Sequence, residues 1–195
     1  MQKTLELNYI KHKVGQLSSG GSTIDNHVKH HFHDFFIYRD LKIRKLLTKE
    51  YSNVCIIGSF PLPLALAFDC NVTIIDDTKA LEFYKDEFKE KYNIDVVLKD
   101  PMFCDIQSDI DDKDLIIYHD SEYQVPLEYY QHKHNDKDVL VMNTYFYFVH
   151  KHCKNFSFTS EELLDMYPMK QIYKHGRVYF LNDYFTCYSY GVIDD

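Results

Sequence analysis

From Asn53 onward the chain alternates between short apolar runs and amphipathic stretches. Residues 54–57 (VCII) are apolar at every position, which suits a parallel strand buried on both faces. Residues 62–68 predict a short helix, with Pro61 or Pro63 tolerated in its first turn. Residues 72–75 predict a second buried strand. Thr78 is placed to cap a helix over KALEFYKDEFKEKY, where Leu81, Tyr84, Phe88 and Tyr92 form an apolar stripe. Further strands are predicted at 95–98, 115–118 and 139–142, and residues 160–166 read as a helix with a serine cap followed by two glutamates.

The tail has a different rhythm. IYKHGRVYFLNDYFTCYSYG contains aromatic strand segments divided by turn signals at His175-Gly176 and Asn182-Asp183, which predicts antiparallel pairing. Strand–helix repeats that close in a hairpin predict an α/β sandwich, mostly parallel, with an antiparallel C-terminal hairpin. Before Asn53 the chain is polar and irregular to about residue 26, with SSGGST at 18–23 the strongest loop signal. Asp25 or Asn26 is placed to cap helical sequence running through HVKHHFHDFFIYRDLKIRKLL, expected as two helices with a break near Arg39. The expected organisation is one domain over 1–195, with 1–50 an N-terminal helical cap or lid and 51–195 the core.

Composition narrows the class. The chain has 195 residues, 45% hydrophobic and 27% charged, which fits a globular domain with a sizeable core. No apolar run approaches the roughly 18–20 residues of a membrane span. MQKTLELNYIKHK lacks the apolar stretch of a signal peptide. Cys55, Cys70, Cys104, Cys153 and Cys187 are odd in number and scattered, so reduced thiols and a cytoplasmic location are expected. A net charge of -8 disfavours a protein that wraps nucleic acid, although a local basic patch stays possible. Arg39, Lys42, Arg44, Lys45 and Lys49 crowd one segment and read as a solvated helix face.

The candidate chemistry lies in VCIIGSFPLPLALAFDCNVTIIDD. In an open parallel sheet, ligands bind outside the carboxyl ends of the strands, near the point where strand order reverses. Gly58 falls at such an end, and Asp76 follows 18 residues later at the end of the second strand. An acid at that spacing can accept both ribose hydroxyls of an adenosine moiety, as in NAD or S-adenosylmethionine. Pro61 and Pro63 remove two amide donors from the region where a dinucleotide's pyrophosphate would sit. S-adenosylmethionine has no phosphate and needs carbonyls, carboxylates and a shaped turn. An ordinary βαβ unit with an aspartate in that place is the alternative.

The segment resembles motif I of class I S-adenosylmethionine-dependent methyltransferases, and GSFPLPLAL is similar to the loop of nicotianamine synthases. DLIIYHDSEYQVPL, VLVMNTYF and YFTCYSYG resemble later segments of small phage-type methyltransferase-like proteins, so the likeness covers roughly residues 53–191. The resemblance departs from the motif at Phe60, where a second glycine is usual. It implies a Rossmann-like three-layer sandwich that binds S-adenosylmethionine and transfers its methyl group to an unidentified acceptor. Gly58, Ser59 and Phe60 would then border the methionine part, and Asp76, with Asp77 as fallback, would bind the ribose. Asp105 matches an acid that contacts adenine, with Asp100 competing for that role. Residues 119–123 would stand beside the reactive methyl, Asp120 and Ser121 on the cofactor side. His119 and Glu122 are candidate bases, and Tyr123 is a candidate for positioning a flat or cationic acceptor.

Two other readings follow from the same residues. The loop's likeness to nicotianamine synthases implies transfer or elimination of the cofactor's aminobutyrate part. A phage-type protein with an altered loop could instead be a non-catalytic binding module. Near the N-terminus, His27, His30, His31 and His33 precede Asp34, and His27 and His31 share a helix face. No downstream pair completes a metal ligand set, so no metal site is expected and a polar helix face is the simpler reading. The segment could also act as a lid hinged at SSGG.

Overall fold

A computed structural model describes residues 34–58, 61–77, 79–124, 127–145, 155–181 and 184–194. The helix caps at Asp25, Asn26 and Thr78, the SSGG hinge, the four N-terminal histidines, Ser59, Phe60, Cys153 and the Asn182-Asp183 turn lie outside these residues.

The apolar runs become β1 (Asn53–Ile57), β2 (Asn71–Ile75), β3 (Ile94–Val97), β4 (Leu115–Tyr118) and β5 (Asp138–Tyr145). The aromatic tail supplies β6 (Met169–Leu181) and β7 (Tyr184–Ile193). They form one seven-stranded sheet in the order β3-β2-β1-β4-β5-β7-β6. The first five strands pair in parallel, while β7 runs antiparallel to both β5 and β6. From β1 the chain steps outward to β2 and β3, then returns to lay β4 on the other side of β1. Strand order therefore reverses between β1 and β4, and the carboxyl edge there is the natural ligand crevice.

Alternation along each strand divides the core into two layers. Val54, Ile56, Leu115, Ile117, Leu140 and Met142 face one layer, covered by α1 (Asp34–Leu46), α2 (Leu62–Ala65) and α3 (Lys85–Tyr92). Cys55, Ile57, Ile116, Tyr118, Val139 and Val141 face the other, covered by α4 (Gln107–Ile110) and α5 (Ser160–Met166). This is the expected three-layer, Rossmann-like sandwich with an antiparallel C-terminal pair.

Several local expectations need correction. Helix α1 runs unbroken through Arg39, because Ile37, Leu41 and Ile43 on either side all bury in the first core layer. Helix α2 ends at Ala65, after which Ala67 and Phe68 donate to Leu64 and Ala65 and tighten the last turn. Residues Lys79–Tyr84 form a 3₁₀ helix ahead of α3 rather than one continuous helix. The third strand starts one residue early, at Ile94, and the fifth continues to Tyr145. The cap of α5 is Thr159, not a serine. Its hydroxyl accepts from Glu162 N at 3.1 Å while Glu162 reaches back to Thr159 N, a reciprocal pair that needs a three-residue spacing. No turn forms at His175-Gly176, since Gly176 pairs with Tyr188 inside β6.

Cys55, Cys70, Cys104 and Cys187 are free thiols. Among the described residues no helix is long and apolar enough to cross a membrane.

Candidate active site

At the carboxyl edge, β1 and β2 end side by side. Gly58 N donates to Ile75 O at 3.1 Å, and Asp76 N donates to Val97 O at 3.2 Å, which stitches the three strand ends together. Asp76 is 3% exposed while Asp77 beside it is exposed, so the first of the two aspartates is the one built into the fold. Gly58 adopts φ +122, and a Cβ there would stand 2.2 Å from His119 O and 2.4 Å from Gln124 Nε2. The glycine is thus required by close approach of the β4 terminus. Gly58→Ala is expected to cost about 2–4 kcal/mol through backbone strain and overpacking, read as a lowered urea midpoint.

The notch between β1 and β4 presents carbonyls. Gln124 Nε2 donates to Ile57 O (3.2 Å) and His119 O (2.9 Å), and its Oε1 accepts from Tyr130 at 2.8 Å. Pro61 and Pro63 contribute no N–H, and α2 is a four-residue helix. Among the described residues, this edge suits a ligand that donates hydrogen bonds or carries positive charge. After β3, Asp100 Oδ1 accepts from Met102 N at 2.9 Å and is half-buried. Asp105 is exposed, and its Oδ1 accepts from Gln107 N at 2.8 Å in the first turn of α4.

The acceptor-side candidates lie in a buried polar cluster. His119, Asp120, Ser121 and Glu122 are all buried, and Tyr123 is half-buried. Asp120 holds a left-handed conformation at φ +51, which turns the chain sharply off β4. Asn143 near the end of β5 donates to Ser121 Oγ at 3.1 Å and to Asn155 O at 3.3 Å, fixing that turn.

Into this cluster α1 inserts Arg39, which is 1% exposed. Its Nε donates to Asp40 Oδ1 at 2.8 Å. Its Nη1 donates to Asp120 Oδ1 at 2.7 Å and Thr144 Oγ1 at 3.0 Å, and its Nη2 lies 2.7 Å from His119 Nε2. Burial works against the guanidinium charge, but Asp120 and Asp40 outweigh burial and raise its pKa above the usual arginine value.

Two influences oppose each other at His119. Burial disfavours an imidazolium, yet Asp120, helped by Asp40, pushes the ring up to about 9. The Arg39 contact pulls the other way. A guanidinium only donates, so Nε2 must keep its lone pair to meet it at 2.7 Å. That contact is the stricter constraint, and the arrangement is that of a neutral ring. Nδ1 then carries the proton, 3.2 Å from Asp120 Oδ2 but without hydrogen-bond alignment.

Glu122 is fully buried, and Oε2 accepts from Thr144 N at 2.8 Å, while Oε1 has no hydrogen-bond partner among the described residues. Burial, with Asp120 adding to it, raises its pKa well above the glutamate range and favours the neutral acid. A group that keeps its proton on folding withdraws stability as pH rises above its unfolded value. Stability should therefore fall from about pH 4.5 upward through this residue. Glu122→Gln is expected to lose less stability than the wild type between about pH 5 and pH 8. Urea midpoints at the two pH values test this, and equal losses would refute it. With His119 and Glu122 neutral, the described residues of the cluster set one arginine against two aspartates, a surplus of one negative charge.

The structure thus brings Gly58, Asp76, His119, Asp120, Ser121 and Glu122 to one edge, and sets Asp105 apart on the α4 turn. Arg39, Asp40, Gln124 and Thr144 belong to the site and were not among the sequence candidates. Arg39 had a readable signal. It stands three residues after Phe36 and four before Ile43, on the apolar stripe of α1, where a solvated arginine does not belong.

No family model matches the chain, and no curated protein matches it in sequence. Solved structures do match in fold. A TehB-like SAM-dependent methyltransferase from Corynebacterium glutamicum is 11% identical with a TM-score of 0.52, over 95% of this chain and 96% of that one. TehB from Haemophilus influenzae is 17% identical with a TM-score of 0.51, over 78% of this chain, which spans only 61% of TehB. PigF with SAH is 15% identical with a TM-score of 0.51, over 95% of this chain and 68% of PigF. At these identities the likeness establishes the fold.

Proposed function

We propose that the chain binds S-adenosylmethionine at the carboxyl edge of β1, β2 and β4 and transfers its methyl group to an acceptor. The observation that carries this reading is the buried Asp76 carboxylate at the end of β2, beside the turn at Gly58. The fold shared with a SAM-dependent methyltransferase and with PigF, whose structure contains SAH, supports it. The donor set fits as well. Carbonyls of Ile57 and His119, the Asp76 carboxylate and a cluster with surplus negative charge match an ammonium, ribose hydroxyls and a sulfonium.

Asp76 would accept from the ribose hydroxyls, with Asp77 outside it. Gly58 would border the methionine portion together with Ser59 and Phe60. Gln124 would withdraw from the two carbonyls as an ammonium took its place. Asp100, half-buried, or Asp105, exposed, would face adenine, each with one carboxylate oxygen already accepting from the backbone N–H two residues on. Bound there, the cofactor supplies an electrophilic methyl carbon. Asp120 and Ser121 would form the wall beside it, and Tyr123 would orient the acceptor. His119 could take a proton only after releasing Arg39, and Glu122 retains its own. Positioning would therefore contribute more than proton removal.

Product identification tests the reaction. Methyl transfer leaves S-adenosylhomocysteine, which mass spectrometry should detect in turnover mixtures with candidate acceptors. Methylthioadenosine in its place would contradict methyl transfer and indicate aminobutyrate transfer.

A further inference from the structure

Tyr118 ends β4 with its ring in the second core layer, where two imidazoles from one extended segment meet its hydroxyl. His132 Nε2 lies 2.6 Å and His134 Nε2 2.7 Å from Tyr118 Oη. Alternate residues of an extended chain share a side. Both histidines therefore turn inward, while Gln131 and Lys133 stay exposed. Exposures are 0% for Tyr118, 7% for His132 and 1% for His134. The rings of Tyr130 and Tyr167 pack around Tyr118 with centroids 5.5 and 5.7 Å away. His132 also lines a cleft of about 500 Å³, together with Leu127, Asp165 and Met166.

Two imidazole nitrogens thus converge on one buried hydroxyl oxygen. A phenol has one proton, so it donates to one imidazole and must accept from the other. With that proton gone, the same atoms become a phenolate and two neutral imidazoles, a donor set suited to Zn²⁺ or Cu²⁺. Among the described residues, His, Cys, Asp and Glu alone form no group of three, and here tyrosine completes the set. We propose that Tyr118, His132 and His134 bind a divalent transition-metal ion, with a fourth coordination position turned toward the cleft.

Tetrahedral ligation at about 2.0–2.1 Å places donor atoms roughly 3.3 Å apart. The three side chains must therefore open by about 0.7 Å from their present contacts, a small rotamer adjustment. The proton balance is defined. One metal–oxygen and two metal–nitrogen bonds form, Tyr118 releases its hydroxyl proton to solvent, and one imidazole carries its proton on Nδ1 instead of Nε2. The site lies on the opposite face of the sheet from α1 and does not depend on the proposed cofactor chemistry.

The test uses the full chain, stripped with chelator, dialysed and titrated with Cu²⁺. One equivalent should bind with a visible phenolate-to-copper absorption band. Tyr118→Phe should abolish the band, and His132→Asn should weaken binding by roughly 10–100-fold or more. A His27→Asn/His31→Asn variant should keep the band, which separates this site from the N-terminal histidines. Absence of the band in folded wild-type protein would overturn the proposal and leave the trio a hydrogen-bonded contact. A band that persists in Tyr118→Phe would overturn it equally. Should that variant fail to fold, undiminished Cu²⁺ affinity in His132→Asn, whose side chain borders the cleft, would do the same.

Discussion

Replacing Arg39 by methionine should lower stability by about 3–5 kcal/mol, a large part of the roughly 5–15 kcal/mol expected for a domain. Methionine fills much of the space but leaves Asp40 and Asp120 buried without their cation. Arg39 bonds both carboxylates, at 2.8 and 2.7 Å, and also meets Thr144 and His119, so one substitution strips four partners together. At roughly 2–4 °C per kcal/mol for a chain of this size, the melting temperature should drop by about 10 °C. Arg39→Lys keeps the charge yet cannot span the same four atoms, so an intermediate loss is expected. Thermal and urea unfolding would measure both. A change within about 0.5 kcal/mol for Arg39→Met, the range typical of surface sites, would mean that the guanidinium is solvated and not part of a buried cluster.

Asp76→Ala should weaken S-adenosylmethionine and S-adenosylhomocysteine binding by about 100-fold or more. Two hydrogen bonds to a charged acceptor contribute about 1.5–3 kcal/mol each, and 1.4 kcal/mol is tenfold in affinity. Asp77→Ala, one residue along and exposed, should change affinity little. That contrast separates a ligand contact from a general loss of negative potential. Equal effects of the two variants would remove Asp76 from the ribose role. Unchanged binding in a folded Asp76→Ala variant would do so as well.

The layered fold was legible because its strands are short, apolar and β-branched. VCII, NVTII and DLII carry their burial in their composition, and the aromatic tail signals its antiparallel pairing. The ends of the first four strands were legible to one residue, while the fifth runs three residues beyond its expected end. The turn misplaced at Gly176 shows why a glycine is an ambiguous signal, since pairing with Tyr188 keeps it inside a strand. Within the site, Gly58 and Asp76 could be found because their roles depend on strand ends and spacing along the chain. Arg39 and Gln124 could not be assigned that way. Among their partners, Asp120 and Ile57 lie 81 and 67 residues away, and the packing of α1 on the sheet and the β1–β4 pairing bring them together. His132 and His134 were hidden for a related reason, because QHKHND is polar throughout and its partner Tyr118 lies 14 and 16 residues away.

Glu122 and His119 show how burial changes the chemistry a sequence suggests. As residues on a loop they read as bases. In the fold, burial and the neighbouring Asp120 charge favour the protonated form of one, and the other commits its lone pair to Arg39. The edge is left with carbonyls and a surplus of negative charge.

The most direct measurement is isothermal titration of the full chain with S-adenosylhomocysteine, which needs no acceptor. Saturable binding at one ligand per chain is expected, with the heat lost in Asp76→Ala and kept in Asp77→Ala. No heat and no thermal stabilisation by S-adenosylhomocysteine or S-adenosylmethionine, in protein shown to be folded, would contradict the account.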